Sequence, residues 1–140
     1  MNRRKRKRLA RALVEAAGGE QEARVAALLR AGADPDGRDA EGTTALYAAS
    51  VQGAAAVAGR LLEAGAVPDL ESAGWGAEGT PLCAAACWGH DDTVRVLLAH
   101  GADPALREDG GSGLTPLEWA ERGPYPRTVR LLREASPARP

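Results

Sequence analysis

The residues best suited to metal chemistry are two cysteines and two histidines in one stretch of the chain. Cys83, Cys87 and His90 form a Cys-x3-Cys-x2-His pattern, and His100 follows a few residues later. Thiolate sulfur and imidazole nitrogen are ligands that zinc prefers, and a structural zinc site usually has four ligands. Gly89 is expected to break the helix between Cys87 and His90, and the pattern has no evident fourth ligand. We therefore predict no metal site here.

Other kinds of reaction chemistry are also weakly represented. A cysteine nucleophile needs an oriented base beside it, and His100 is better explained by its place at the end of a helix. His100 stands before a glycine that ends a predicted helix, where a cation interacts favourably with the helix dipole. Residues 110–113 are rich in glycine, but they lack the Lys-Ser/Thr pair of a phosphate-binding loop and do not follow a predicted strand. The sequence predicts a non-enzymatic protein with no cofactor.

Two short phrases recur along the chain and predict its architecture. A Leu-Leu-x-x-Gly-Ala phrase stands at residues 28–33, 61–66 and 97–102. A Thr-x-Leu phrase keeps step with it at residues 44–46, 80–82 and 115–117, with spacings of 36 and 35 residues. Self-similarity at this period is typical of a stack of small structural units.

The repeated residues resemble the ankyrin repeat, in which a turn precedes two helices and the first helix opens with T-P-L-H-x-A. The best match runs from Gly79 through His90 to Asp103, and the resemblance covers about residues 9–135. It implies an all-α fold, an α-solenoid of stacked helix-turn-helix repeats with protruding β-turn loops. The expected units are 9–37, 38–70, 71–107 and 108–135, the outer two being caps, followed by a C-terminal tail at 136–140. The histidine position of the family motif is filled here by Val14, Tyr47, Cys83 and Glu118.

Local signals agree with helical units of this kind. Thr80 and Thr115 are good N-cap residues, and the prolines that follow them occupy the first helical position, where a missing N–H costs nothing. Gly89 is expected to end the first helix of its unit, and Asp91 to begin the second, because an acidic side chain suits the positive end of the helix dipole.

The resemblance also implies where a protein partner binds. In the ankyrin family, the concave groove, the two positions before the inter-helix glycine and the loop tips make most partner contacts. The corresponding positions are Val51 and Gln52 in the second unit and Cys87 and Trp88 in the third; the loop candidates are Glu41, Thr43, Trp75, Glu78 and Leu114. Tryptophan is frequent at interface hot spots, so Trp75 and Trp88 are predicted to form the centre of the patch. Alternatively, Trp75 folds back onto Trp88 to pack its loop. Trp119 is expected in the core.

The loop tips are acidic and favour a basic partner. The acidic set is Asp36, Asp39, Glu41, Asp69, Glu71, Glu78, Glu108 and Asp109, against Arg38 and Arg107. Such an edge would steer a basic protein toward the groove. The alternative is a set of solvated loop residues without a partner.

The chain begins with six consecutive basic residues, Arg3, Arg4, Lys5, Arg6, Lys7 and Arg8. The remainder has 12 basic and 19 acidic residues, a net charge of −7. Such a run can bind nucleic acid or an anionic surface, which is the alternative function, or act as a nuclear import signal in a eukaryote. Because cations oppose the dipole at a helix N-terminus, we expect residues 1–8 to form a frayed tail. The tail could bind a partner, fold onto the acidic loops or only solubilise the protein.

Composition limits the remaining possibilities. A chain of 140 residues suits one domain, and its short apolar runs predict no membrane-spanning helix. The two cysteines do not define a disulfide framework, so we expect an intracellular, cytoplasmic protein. Charges in the last unit, such as Arg130 and Arg133, lie where a further repeat would dock, which predicts a monomer.

Overall fold

The structure, a computed structural model, describes residues 1–74 and 77–136. Helices form in pairs along this part of the chain, and their bounds are α1 Arg3–Gly18, α2 Glu22–Arg30, α3 Ala45–Gln52, α4 Ala55–Glu63, α5 Pro81–Cys87, α6 Asp91–Ala99, α7 Pro116–Glu121 and α8 Pro126–Ala135. Two short strands, β1 Ser72–Gly74 and β2 Ala77–Gly79, form an antiparallel hairpin with Ser72 opposite Gly79. The fold is the predicted all-α solenoid.

The helices pack in two rows. The odd-numbered helices lie side by side in an inner row, and the even-numbered helices form an outer row behind them. Each inner helix also packs against the outer helix that follows it. Four alanines at equivalent positions of the inner row, with no exposed surface, allow the close approach of these helices: Ala16, Ala49, Ala85 and Ala120. Leucines from both rows fill the core between them, among them Leu13, Leu82, Leu61, Leu97 and Leu132.

The predicted helix caps at Thr80 and Thr115 are confirmed, and Thr44 caps its helix in the same way. Side-chain oxygens of three threonines each accept a backbone N–H from three residues further on, at 3.2 Å: Thr44 from Tyr47, Thr80 from Cys83 and Thr115 from Glu118. Pro81 and Pro116 occupy the first helical position, as expected. These caps satisfy N–H groups that have no partner within the helix, so the Thr-x-Leu phrase fixes where each of these inner helices begins.

The start of the chain differs from the frayed tail that we expected. Residues 3–8 form the first turns of α1, which runs without a break into the buried positions Ala10 and Leu13. The side chain of Asn2 caps the helix by accepting the N–H of Lys5 at 2.8 Å. Capping and burial of the following turns offset the unfavourable interaction between the cations and the helix dipole.

Neighbouring units also meet through rings that cover glycines. His90 lies over Gly53, where a Cβ atom would come within 2.5 Å of the imidazole Nδ1. The imidazole Nε2 of His90 also donates a hydrogen bond of 2.9 Å to the carbonyl oxygen of Val51. One unit further on, a Cβ atom on Gly89 would overlap the ring of Tyr125. Each glycine therefore provides space for a ring of the next unit.

The loops are joined by a second set of bonds between units. Asp36 accepts the backbone N–H of Val67 at 2.9 Å, and Asp69, the equivalent residue of the next loop, accepts that of Asp103 at 3.0 Å. These bonds tie the base of each loop to the loop that follows it.

Candidate recognition surface

Four predicted contact residues lie at the ends of the neighbouring inner helices α3 and α5, and we call this set the recognition face: Val51, Gln52, Cys87 and Trp88. Trp88 is 57% exposed, although it is one of the largest apolar side chains of the protein. Gln52 is also exposed, and Val51 and Cys87 are half-buried. The inner helices of adjacent units pack directly together, so the helix ends that carry these residues are neighbours in the stack.

The hairpin loop carries two further predicted contacts that can be placed only in part. Trp75 lies outside the described residues, and so does the alternative in which it packs on Trp88. Glu78 belongs to β2, where its backbone pairs with Ala73.

The remaining loop candidates differ in their exposure. Glu41 is exposed, and Leu114 is half-buried with its carbonyl oxygen accepting the N–H of Glu108 at 3.2 Å. Thr43 is only 8% exposed. Its backbone N–H donates to the side chain of Asp39, and its carbonyl oxygen accepts the backbone N–H of Asp39, so the two residues close a turn. Its side chain therefore offers little surface to a partner, and we leave it out of the proposed surface.

Glu108 is not part of the exposed acidic edge to which the sequence assigned it. It is 9% exposed, and its Oε1 accepts the indole N–H of Trp119 at 2.6 Å. Its other carboxylate oxygen lies against Gly79, where a Cβ atom would overlap it. Glu108 thus fills the contact between the hairpin of the third unit and the last inner helix.

Burial perturbs the titration of this region. It raises the pKa of the Glu108 carboxyl above its ordinary value, while the hydrogen bond from Trp119 acts in the opposite direction. Burial raises the pKa of the neighbouring Cys83 thiol to about 12, although a hydrogen bond involving Thr80 lowers it. Burial also raises the pKa of Cys87, with a contribution from the charge of Glu108. Both cysteines are therefore poor thiolate nucleophiles at neutral pH.

Trp119 packs against the hydrophobic core, as the sequence predicts, and part of its ring also reaches the surface. It is half-buried, and the guanidinium of Arg122 lies 5.7 Å from the centroid of its ring. The repeat itself carried the signal for this. Trp119 occupies the position that Ala48 and Ala84 hold in the preceding units, so a large ring replaces a small side chain on the inner row.

The other acidic loop residues divide into two groups. Asp36 and Asp69 accept backbone N–H groups of the next loop, and Asp39 accepts two N–H groups of its own turn. Glu41 and Asp109 are exposed. The acidic edge available to a partner is therefore smaller than the sequence suggested, because several carboxylates hold the loops together.

Comparison with known families agrees with this geometry. Residues 68–139 match the family model described as ankyrin repeats in three copies. The chain belongs to the ankyrin repeat family. Ankyrin repeats generally mediate protein–protein interaction, and their fold is typically non-catalytic.

Several curated proteins are similar to this ankyrin chain. One is a putative E3 ubiquitin-protein ligase, XBAT35, of Arabidopsis thaliana, 37% identical over 111 residues, which is 79% of this chain and 23% of that protein. A stretch of 30 residues, 21% of the chain, is 63% identical to ankyrin repeat and SOCS box protein 12 of Homo sapiens and of Mus musculus, covering 10% of each. The chain thus spans a quarter or less of the length of these relatives.

The histidines of the ankyrin stack have structural partners. His90 bonds to Val51 as described, and Nδ1 of His100 donates to the carbonyl oxygen of Val96 at 3.0 Å. Within residues 1–74 and 77–136, no group of three or more His, Cys, Asp or Glu side chains is placed to hold a metal ion.

In the described ranges of the ankyrin chain, no helix has both the length and the apolar character needed to cross a bilayer.

Proposed function

We propose that this chain is a non-enzymatic protein-recognition module, an adaptor, scaffold or inhibitor, that binds a partner protein through the recognition face and the loops beside it. The observation that carries this proposal is Trp88, an indole that is 57% exposed in the middle of the stack. The rigid repeat scaffold beneath it presents a fixed surface, as is usual for stacked-repeat proteins.

Trp88 is suited to be the anchor of the interface. Tryptophan combines a large apolar area with an N–H donor, and interface residues of this type often contribute 2 kcal/mol or more. In the part of the chain that the structure describes, the other large apolar side chains exposed to a similar degree are Met1 at the chain start and Val67 in a loop of the second unit. Trp88 differs from both because other candidate contacts, Gln52 and Cys87, belong to the same face.

The loops supply the rim of the proposed interface. Glu41, Trp75, Glu78 and Leu114 remain candidate contacts there. The exposed carboxylates of Glu41 and Asp109 favour a partner with basic residues near its contact region. We also propose a cytoplasmic monomer. The relative that is named as a ubiquitin ligase is matched over 23% of its length, so no ligase activity is proposed for this chain.

A crosslinking experiment followed by affinity measurements tests the proposal. A photo-crosslinking side chain at Gln52, which is exposed and holds in the second unit the position that Trp88 holds in the third, would capture the partner in cells. Calorimetry with the purified partner would then compare the unchanged chain with Trp88→Ala and with the control Val67→Ala, which also removes an exposed apolar side chain.

The expected results separate a specific interface from general stickiness. Trp88→Ala should weaken binding about 30-fold, whereas Val67→Ala should change it less than about twofold. An anchored complex should also persist in about 0.5 M salt. Unchanged affinity of a folded Trp88→Ala variant would contradict the proposal.

A further inference from the structure

A positively charged cleft lies at the opposite end of the stack from the last cap, between the first turns of α1 and the loop at residues 34–40. It has two adjoining parts, of about 370 Å³ and about 490 Å³. The basic residues that line it are Arg3, Arg6, Lys7, Arg8, Arg11 and Arg38, of which Lys7 and Arg38 border both parts. We call this feature the basic cleft.

The base of the basic cleft is closed by close packing. A Cβ atom on Gly37 would stand 3.0 Å from the Cβ of Ala10, so the loop touches the helix there. Ala10 is buried, and both residues line the smaller part of the cleft. The cleft therefore has a small apolar floor between the cationic side chains of α1 and Arg38 of the loop.

The acidic residues that border the basic cleft are already engaged with the backbone. Asp34 accepts the N–H of Asp36 at 2.9 Å, and Asp39 accepts the N–H groups of Glu41 and Thr43 at 3.0 and 2.9 Å. These bonds hold both carboxylates in tight turns of the loop. Each of these bonds uses one carboxylate oxygen, Oδ1, so both residues keep their charge, but the lining has six cations against these two carboxylates.

Most of the cations in the cleft have no anionic partner in the described part of the chain. Arg11 pairs with Glu15 at 3.2 Å, and both side chains are well exposed. Arg38 donates to the carbonyl oxygen of Gly42 at 2.9 Å. Among residues 1–74 and 77–136, the other cleft cations lie more than 4.0 Å from any carboxylate oxygen.

This arrangement is electrostatically unfavourable without a ligand. Arg3 and Lys7, like Arg4 and Arg8, stand four residues apart on α1, where like charges repel. The first turn of α1 contains no acidic residue to offset the helix dipole. An anion in the cleft would relieve both effects and stabilise the start of the helix.

We propose that the basic cleft binds an acidic segment of a partner protein, an extended stretch rich in Asp and Glu. Carboxylates suit arginine because the guanidinium binds them with two parallel hydrogen bonds. The helix rises about 12 Å from Arg3 to Arg11, which matches about four residues of extended peptide. This surface is separate from the recognition face and does not depend on the function proposed for Trp88.

The charge of the remaining chain favours a short peptide over nucleic acid. A DNA duplex carries one charge about every 1.7 Å along its axis, so most of its phosphates would extend beyond the cleft. There they would meet a chain whose residues 9–140 have a net charge of −7. A membrane surface is also disfavoured, because Met1 is the one large apolar side chain exposed in the first eight residues.

Peptide binding to the full chain tests the inference. The probe is a fluorescent peptide of eight alternating Glu and Ser residues, compared by anisotropy with the same peptide carrying Gln for Glu. The cleft variant is Arg6→Gln/Lys7→Gln, and its matched control is Arg4→Gln/Lys5→Gln, which removes the same charge from the same helix outside the cleft lining. Circular dichroism verifies the helix content of both variants.

The variants should separate the cleft from general charge attraction. At about 50 mM salt, the cleft variant should bind the acidic peptide about tenfold more weakly, and the control about twofold more weakly. The Gln peptide should not bind. An equal loss of peptide affinity in both variants would overturn the cleft as the binding site. Tighter binding of single-stranded DNA of equal charge, or of vesicles containing anionic lipid, would overturn the peptide as its ligand.

Discussion

Glu20 occupies in the first unit the left-handed backbone position that Gly53 occupies in the second, with φ angles of +56° and +72°. In both units the next residue donates its N–H to a carbonyl five positions back, from Gln21 to Ala16 and from Ala54 to Ala49, at 2.9 Å. A non-glycine residue in this conformation is strained. Ala54 stands where the third unit has His90, so the second unit carries no equivalent ring.

Replacing Glu20 with glycine should therefore stabilise the protein. Removal of the left-handed strain should stabilise the folded protein by about 1–2 kcal/mol. The greater flexibility of glycine in the unfolded chain offsets part of this stabilisation. We expect the free energy of unfolding in urea to rise by about 0.5–1 kcal/mol. Glu20→Ala retains the Cβ atom and serves as the control. An equal gain from alanine would show that charge, and not backbone strain, is responsible.

Gly53→Ala should destabilise the stack more than Gly65→Ala. Both glycines have positive φ, but a Cβ atom on Gly53 would overlap His90, whereas Gly65 has nothing within 4 Å. We expect losses of about 2–4 kcal/mol and about 1–2 kcal/mol respectively, measured by urea denaturation. The second substitution His90→Ala should recover part of the loss at Gly53. Equal costs for the two glycine variants would refute the ring contact as the cause.

The substitution Glu108→Gln should stabilise the folded protein more as pH rises. Because burial raises the pKa of Glu108 in the folded state, the unfolded chain releases this proton first, and the folded state loses stability above the ordinary value of 4.5. Glutamine can still accept the indole N–H of Trp119 but never ionises. The unfolding free energy of the variant relative to the unchanged chain should therefore increase between about pH 4 and pH 7. A decrease over this range would contradict the assignment, and Glu41→Gln controls for loss of a loop carboxylate.

The two cysteines should react with thiol reagents at different rates. Cys83 is 1% exposed and its pKa is raised to about 12, so its reactive thiolate is scarce at neutral pH. Cys87 is half-buried and should be modified first. Labelling Cys83→Ala and Cys87→Ala with a disulfide reagent, in buffer and in urea, gives the separate rates. If Cys83 reacted as fast as Cys87 in the folded protein, the predicted difference in reactivity would be refuted.

The helical framework could be predicted from the sequence because its determinants are local. Thr80 and Pro81 define the start of α5 within two residues, and Gly89 follows its end at Cys87. Asp91 begins α6 as expected. Each of these signals acts within one turn of backbone, so the neighbouring units do not alter it.

Features that depend on contacts between units escaped prediction. The burial of Glu108 requires an indole 11 residues away and the open space beside Gly79 in the preceding hairpin. An acidic residue in a loop is ordinarily exposed, and nothing local marks this exception. The helical form of residues 3–8 was missed for a different reason. The expectation of a frayed tail rested on the cations alone and did not include the N-cap that Asn2 provides.

The bonds from Asp36 to Val67 and from Asp69 to Asp103 have a consequence for how this protein can diversify. They fix the spacing of the loop bases, while β1 and β2 extend outward beyond them. Residues can therefore be inserted or exchanged at a loop tip without changing the step from one repeat to the next. A new binding specificity can arise in one loop of such a chain while the rest of the scaffold keeps its geometry.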